Sequence, residues 1–228
     1  MKSLFLNLLL FPVLVVAQNQ MDVTDFAASI TAKELKENLY VYASDYFQGR
    51  ETGTLGQRRA VDFLQNFYST QVIEEAKGTD NYTQPMKLNI KGVEVETENV
   101  AAIIKGSKFP EEYIVISSHL DHIGIKNGEI NNGADDDGSG TVALLEIAEA
   151  FKMAADVGQG PKRSLIFLHV TGEEKGLLGS SYYANNPLYP LAQTMTNLNV
   201  DMIGRTDTKR EDKDPNYIYL IGADRLSQ

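Results

Sequence analysis

Three features of the chain predict an α/β fold, with helices on both faces of a mixed, mainly parallel sheet. Residues 113–116 (Tyr-Ile-Val-Ile) and 164–170 (Ser-Leu-Ile-Phe-Leu-His-Val) are continuous apolar runs rich in β-branched residues, the pattern of strands covered on both faces. Between them, Val142, Leu145, Ala148 and Phe151 mark one face of a helix over 141–155. Strand, helix, strand in that order requires a parallel crossover. Residues 83–105 read instead as an antiparallel hairpin, with strands at 86–90 and 93–104 around a Lys91-Gly92 turn, which makes the sheet mixed.

The other elements follow from local signals. Met1-Lys2, an apolar run over 4–16 broken by Asn7 and Pro12, and the small residues before Gln18 have the layout of a secretory signal peptide. The run falls short of the roughly 20 residues a membrane-spanning helix needs. The expected division is therefore 1–17 as a cleaved leader and 18–228 as one domain, with a secreted or periplasmic destination. Thr31 and Glu34 form a capping box for a helix over 31–44, with Leu35, Leu39 and Tyr42 at helical spacing. After the turn-rich stretch 48–53, Ala60, Phe63, Leu64 and Phe67 form the stripe of a second helix ending near Tyr68. Residues 198–200 read as a short third parallel strand, and 217–221 as a further core strand near the end of the chain.

Composition narrows the function classes. With 228 residues, 43% of them hydrophobic, the chain can bury a substantial core. Its 31 acidic against 21 basic residues give a formal charge of −10, which argues against nucleic acid as a partner. The absence of cysteine removes disulfides, thiolate ligands and thiol nucleophiles, and leaves metal binding to nitrogen and oxygen donors. No Gly-x-Ser-x-Gly elbow is present.

Four segments supply such donors: Ser118-His119-Leu120-Asp121-His122, Gly133-Ala134-Asp135-Asp136-Asp137-Gly138-Ser139-Gly140, Thr171-Gly172-Glu173-Glu174 and Asn199-Val200-Asp201-Met202. His119 follows the first strand, Glu173 and Glu174 the second, and Asp201 ends the third. Ligands of open α/β sheets bind outside the carboxyl ends of the strands, so three strand ends direct metal-type residues at one rim. The acidic triplet precedes the crossover helix, whose positive end favours carboxylates. Imidazole and carboxylate donors suit a catalytic zinc, and a pair of such ions needs a shared carboxylate and one acid left free as a base. A calcium loop fits less well, since that register leaves Gly133 and Leu144 where acids belong. His169, inside a strand pattern, reads as core, Tyr182 and Tyr183 as packing, and Arg205 as a surface ion pair. Asp135 and His122 stay open between structural and site roles.

The four segments, with the lead-in Gly49-Arg50-Glu51-Thr52-Gly53-Thr54, resemble the zinc aminopeptidase family of co-catalytic di-zinc exopeptidases across roughly residues 40–205. The resemblance implies a three-layer α/β/α sandwich, two Zn2+ ions, and hydrolysis of a terminal peptide bond, with peptide or protein N-termini as substrate. It implies that His119 and Asp201 bind one zinc, Glu174 the other, and that Asp136 bridges both, with a cis Asp136–Asp137 peptide. Glu173 becomes the general base, and Asp121 accepts the second N–H of His119. In this family another histidine completes the second zinc downstream of the position matching Asp201. With only His119, His122 and His169 present, the fold is expected to be incomplete at the C-terminus. Two alternatives share the fold: a single-zinc glutaminyl cyclase, and a non-catalytic binding module with a vestigial site.

Overall fold

The computed structural model describes residues 22–211 and 214–222, so the leader expected at 1–17 lies outside the described residues. In chain order the elements are α1 (Val23–Ala27), α2 (Ala32–Tyr42), α3 (Leu55–Thr70), β1 (Glu74–Glu75), β2 (Thr83–Ile90), β3 (Val93–Ile104), β4 (Phe109–His119), β5 (Gly124–Lys126), β6 (Glu129–Asn131), α4 (Gly140–Asp156), β7 (Arg163–Val170), α5 (Leu178–Asn185) and β8 (Thr194–Asn199).

The sheet is mixed, in the order β1-β3-β7-β4-β8, with β2 also paired to β3. β7, β4 and β8 run parallel, while β3 is antiparallel to β7. The β2–β3 hairpin turns where Ile90 faces Val93, and Lys91 and Gly92 both adopt positive φ (52° and 85°), the geometry that matches strand twist in a two-residue turn.

Strand alternation sorts the core into two layers. Leu165 and Phe167 of β7 face one side with Val100, Ala102 and Ile116, and are covered by Leu64 and Tyr68 of α3 and by Leu144, Leu145 and Ala148 of α4. Ile166, Leu168 and Val170 face the other side with Val115, under Tyr183 of α5. This is the three-layer arrangement expected. Thr31 caps α2 by accepting the Glu34 amide N–H, but its hydroxyl donates to the Glu34 carboxylate, which therefore does not reach back to the capping backbone. His169 is fully buried between the Tyr68 hydroxyl and Ser118 Oγ, as a core residue. Tyr183 packs in the core, and Tyr182 is half-buried.

Two expectations are corrected. Residues 217–221 form no strand, and Ile221 is 96% exposed, because nothing among the described residues offers this run a ladder or a covering layer. β8 pairs with β4 as expected, yet it is not covered on both faces: Leu198 is half exposed.

Candidate metal centre

The parallel strands β4 and β7 end side by side, His119 opposite Val170, and the turns that leave them build the site. His119 is 3% exposed, and its Nδ1 lies 3.0 Å from the backbone carbonyl oxygen of Asp121. A carbonyl only accepts, so Nδ1 must carry the hydrogen, and in the neutral ring Nε2 keeps its lone pair. That lone pair faces Asp136 Oδ1 at 3.0 Å and Asp201 Oδ1 at 3.9 Å.

The expected role of Asp121 is corrected here. Its backbone, not its carboxylate, fixes the imidazole, because the ring folds back over its own turn and leaves the nearest carboxylate oxygen 3.8 Å from Nδ1. The carboxylate, fully buried, instead accepts from the Thr52 hydroxyl at 2.8 Å and from the Glu173 amide at 3.1 Å. It thereby ties the lead-in and the Glu173 turn to the end of β4. Burial raises its pKa, against the Thr52 hydrogen bond and His119.

Consecutive aspartates in the turn before α4 face opposite ways across a cis Asp136–Asp137 peptide, the isomer the resemblance implied. Asp137 points inward with no exposure and accepts three backbone amides: His119 at 3.1 Å, Gly140 at 3.0 Å and Met202 at 3.3 Å. Burial pushes its pKa up to about 8, opposed by His119 and by these amides, with Asp201 adding to the rise. Asp136 points outward to His119. Asp135 accepts the Gly204 amide at 2.8 Å and Arg205 Nε at 2.6 Å, so it binds the segment after Asp201 to the turn, and Arg205 makes the surface ion pair expected of it.

Gly172 turns the chain at φ +65° after β7, and the two glutamates that follow diverge. Glu173 lines a cavity of about 350 Å³ with His119, Asp201, Ser180, Tyr183 and Asn199. Burial raises its pKa, and the carboxylates of Glu174, Asp121 and Asp201 add to the rise while His119 opposes it. Glu174 turns away from that cavity, and its Oε1 lies 2.7 Å from His122 Nδ1. A second cavity, about 480 Å³, opens beside His122, Asp135, Asp136 and Arg205.

Ligand atoms thus gather in two adjoining groups. His119, Asp137 and Asp201 place one donor atom each within 4.8 Å of one another, and so do His122, Asp136 and Glu174. Of the first group, Asp137 is already saturated by amides, which leaves Asp136 as the carboxylate that faces both histidine clusters. The donor set fits divalent cations: His119 Nε2 and a carboxylate oxygen of Asp136 lie 3.0 Å apart, and when the imidazole is neutral these are two acceptors that a cation between them resolves. All four predicted ligands, His119, Asp136, Glu174 and Asp201, and the predicted base Glu173, with Asp121 behind them, are brought to this rim.

Sequence reasoning missed Asp137 and Arg50. The Arg50 guanidinium, 1% exposed, donates to the carbonyls of Leu120 (3.0 Å), Tyr42 (3.1 Å), Asn132 (2.7 Å) and Gly133 (2.7 Å) and lies over the Tyr42 ring. It clamps the two turns that carry His119 and Asp136. An arginine inside a glycine-rich stretch was the available signal.

Residues 99–216 match peptidase family M28. Among curated proteins the chain is 34% identical over 130 residues to a probable zinc metalloprotease of Pyricularia oryzae, covering 56% of this chain and 25% of that protein. It is 38% identical over 90 residues to carboxypeptidase Q of Xenopus laevis, covering 40% of this chain and 18% of that protein. It is 28% identical over 212 residues to a probable leucine aminopeptidase of Trichophyton verrucosum, covering 87% of this chain and 54% of that protein. The chain thus spans about half or less of the length of these relatives. Among solved structures, glutaminyl cyclase of Porphyromonas gingivalis superposes with a TM-score of 0.63 at 21% identity, over 76% of this chain and 62% of that one, a likeness of fold.

Proposed function

The chain belongs to peptidase family M28, and from that premise we propose that it is a zinc-dependent exopeptidase that removes residues from the amino end of peptides. In this reading His119, Asp136 and Asp201 hold one zinc, and Glu174 shares Asp136 at a second. When bound, the ions supply Lewis acidity that polarises the scissile carbonyl and makes water a nucleophile near neutral pH. The protein's own residues do the rest. Glu173, bound to no cation in this assignment, takes the proton from the attacking water and returns it to the leaving amine. Asp121 holds the backbone of Glu173 in place.

One observation supports the choice of the amino end. The chain is similar over 87% of its length to a probable leucine aminopeptidase. Charge does not decide it, since two bound Zn2+ ions would balance Asp136, Glu173, Glu174 and Asp201, and Arg205 already pairs with Asp135. The leader-like residues 1–17 support export, with the mature chain starting near Gln18, a start that N-terminal sequencing of secreted material reads.

The test is Glu173→Gln, assayed on amino-acid anilides together with zinc content. The expected outcome is unchanged zinc and a kcat lower by roughly 10²–10⁴. Near-normal turnover in that variant removes Glu173 as the base. Ring closure of N-terminal glutamine by the unaltered chain, without peptide cleavage, moves it to the cyclase reading instead.

A further inference from the structure

We propose that a buried chain of hydrogen bonds, running from Tyr68 through His169 and Ser118 to Thr141, positions His119, with Thr141 as the positioning residue that delivers the effect. The inference rests on the metallopeptidase reading and adds to it residues that touch neither metal nor substrate.

His119 sits just past the last β4–β8 pair, Ser117 opposite Asn199, so no ladder partner faces its backbone on that side. Two side chains stand in for one. The His119 amide donates to Asp137 Oδ2 at 3.1 Å, and its carbonyl accepts from Thr141 Oγ1, in the first turn of α4, at 3.0 Å. Behind Thr141, Ser118 Oγ lies 3.3 Å away, His169 Nδ1 lies 3.0 Å from Ser118 Oγ, and the Tyr68 hydroxyl lies 2.7 Å from His169 Nε2. All four side chains are fully buried, so water completes none of these bonds.

Counting hydrogens fixes the direction of every bond. The His119 carbonyl only accepts, so Thr141 spends its one hydroxyl hydrogen there and must accept from Ser118. Ser118 has then spent its own and accepts from His169, whose hydrogen therefore sits on Nδ1. Nε2 is left to accept from Tyr68. Burial agrees with this, lowering the His169 pKa to about 3 and keeping the ring neutral, with one donor and one acceptor. Hydrogen bonds that all point one way polarise one another, and here they tie α3, β7, β4 and α4 to the carbonyl of a single ligand. Where that carbonyl goes the imidazole follows, and a zinc tolerates ligand distances only within roughly 0.2 Å.

The experiment has two arms on the full chain. The first needs no metal: long-range proton–nitrogen NMR spectra of the unaltered, metal-free protein at neutral pH should show His169 neutral with its hydrogen on Nδ1. A hydrogen on Nε2, or a charged ring, overturns the proposal. The second measures zinc affinity by competition with a chromogenic chelator, after circular dichroism has shown each variant folded. Thr141→Val should bind zinc roughly 10–100-fold more weakly, the range for groups that orient a ligand, and Thr141→Ser, which restores the hydroxyl, should come back to within about threefold. His169→Leu, farther along the chain, should lose less than Thr141→Val. Adding Ser118→Ala to Thr141→Val should cost nothing further, since the chain is already cut. Zinc affinity within twofold of normal in Thr141→Val, a larger loss in His169→Leu, or losses that add in the double variant each overturn the proposal. Failure of the metallopeptidase reading shows differently, as an unaltered chain that takes up no zinc, and it removes the positioning role with it.

Discussion

The ends of β4 and β7 and the stretch from β8 onward carry the proposed metal ligands to the same rim by opposite means. Every residue of β7 after Arg163 is buried, His119 is 3% exposed, and the turn that follows β4 is pinned by Arg50 and Asp137. From β8 onward the apolar residues Leu198, Met202 and Ile203 are about half exposed, and the Asp201 side chain is 39% exposed. Asp201 is nevertheless not adrift. Its neighbours' amides reach into the buried side: Val200 to the Ser117 carbonyl at 2.8 Å, Met202 to Asp137, Ile203 to Ser139 Oγ at 3.0 Å and Gly204 to Asp135. His119 is positioned by core packing, Asp201 by a row of backbone hydrogen bonds to β4 and to the turn before α4.

The largest expected effect comes from cutting the clamp on the buried side. Arg50→Met removes a charged donor from four carbonyls and should lower stability by roughly 3–5 kcal/mol in denaturant unfolding, with weakened zinc binding. A loss below about 1 kcal/mol would mean that the turns hold themselves.

An intermediate effect is set by pH. Burial holds His169 at about 3, against 6.5 in an ordinary setting. Between those values the unfolded chain binds a proton that the folded chain refuses, so stability is full above 6.5 and declines as pH falls toward 3. About 2 kcal/mol should disappear between pH 7 and pH 5. His169→Gln, compared by thermal unfolding over the same range, should flatten that slope, and an equal slope in the variant assigns the acid sensitivity elsewhere.

The smallest effect belongs to the exposed side. Leu198→Ala should change stability by no more than about 0.5 kcal/mol, since the side chain is half in water already. A loss of 2 kcal/mol or more, the range for a buried leucine, would erase the contrast between the two regions.

Which parts of this were legible in the sequence follows the range of the interactions. β4, α4 and β7 were readable because each is a local pattern, an apolar run or a helical stripe, and their order implied the crossover. The convergence of His119, Glu173, Glu174 and Asp201 followed from strand ends sharing an edge. The division of labour within residues 135–137 was not readable, because three identical side chains in a row give no hint of which faces inward. Nor were the partners of the Asp121 carboxylate, since Thr52 and Glu173 lie 69 and 52 residues away. The sparse cover of residues 217–221 escaped as well, because an apolar run says nothing of what lies against it.

The inward-facing aspartate has a consequence for how the protein would take up and release zinc. Because Asp137 is satisfied by peptide N–H groups and not by a cation, the scaffold around the centre closes on its own chemistry. A chelator should then strip the ions and leave a folded, idle protein that regains them on dialysis, unlike small zinc domains that come apart when the metal leaves.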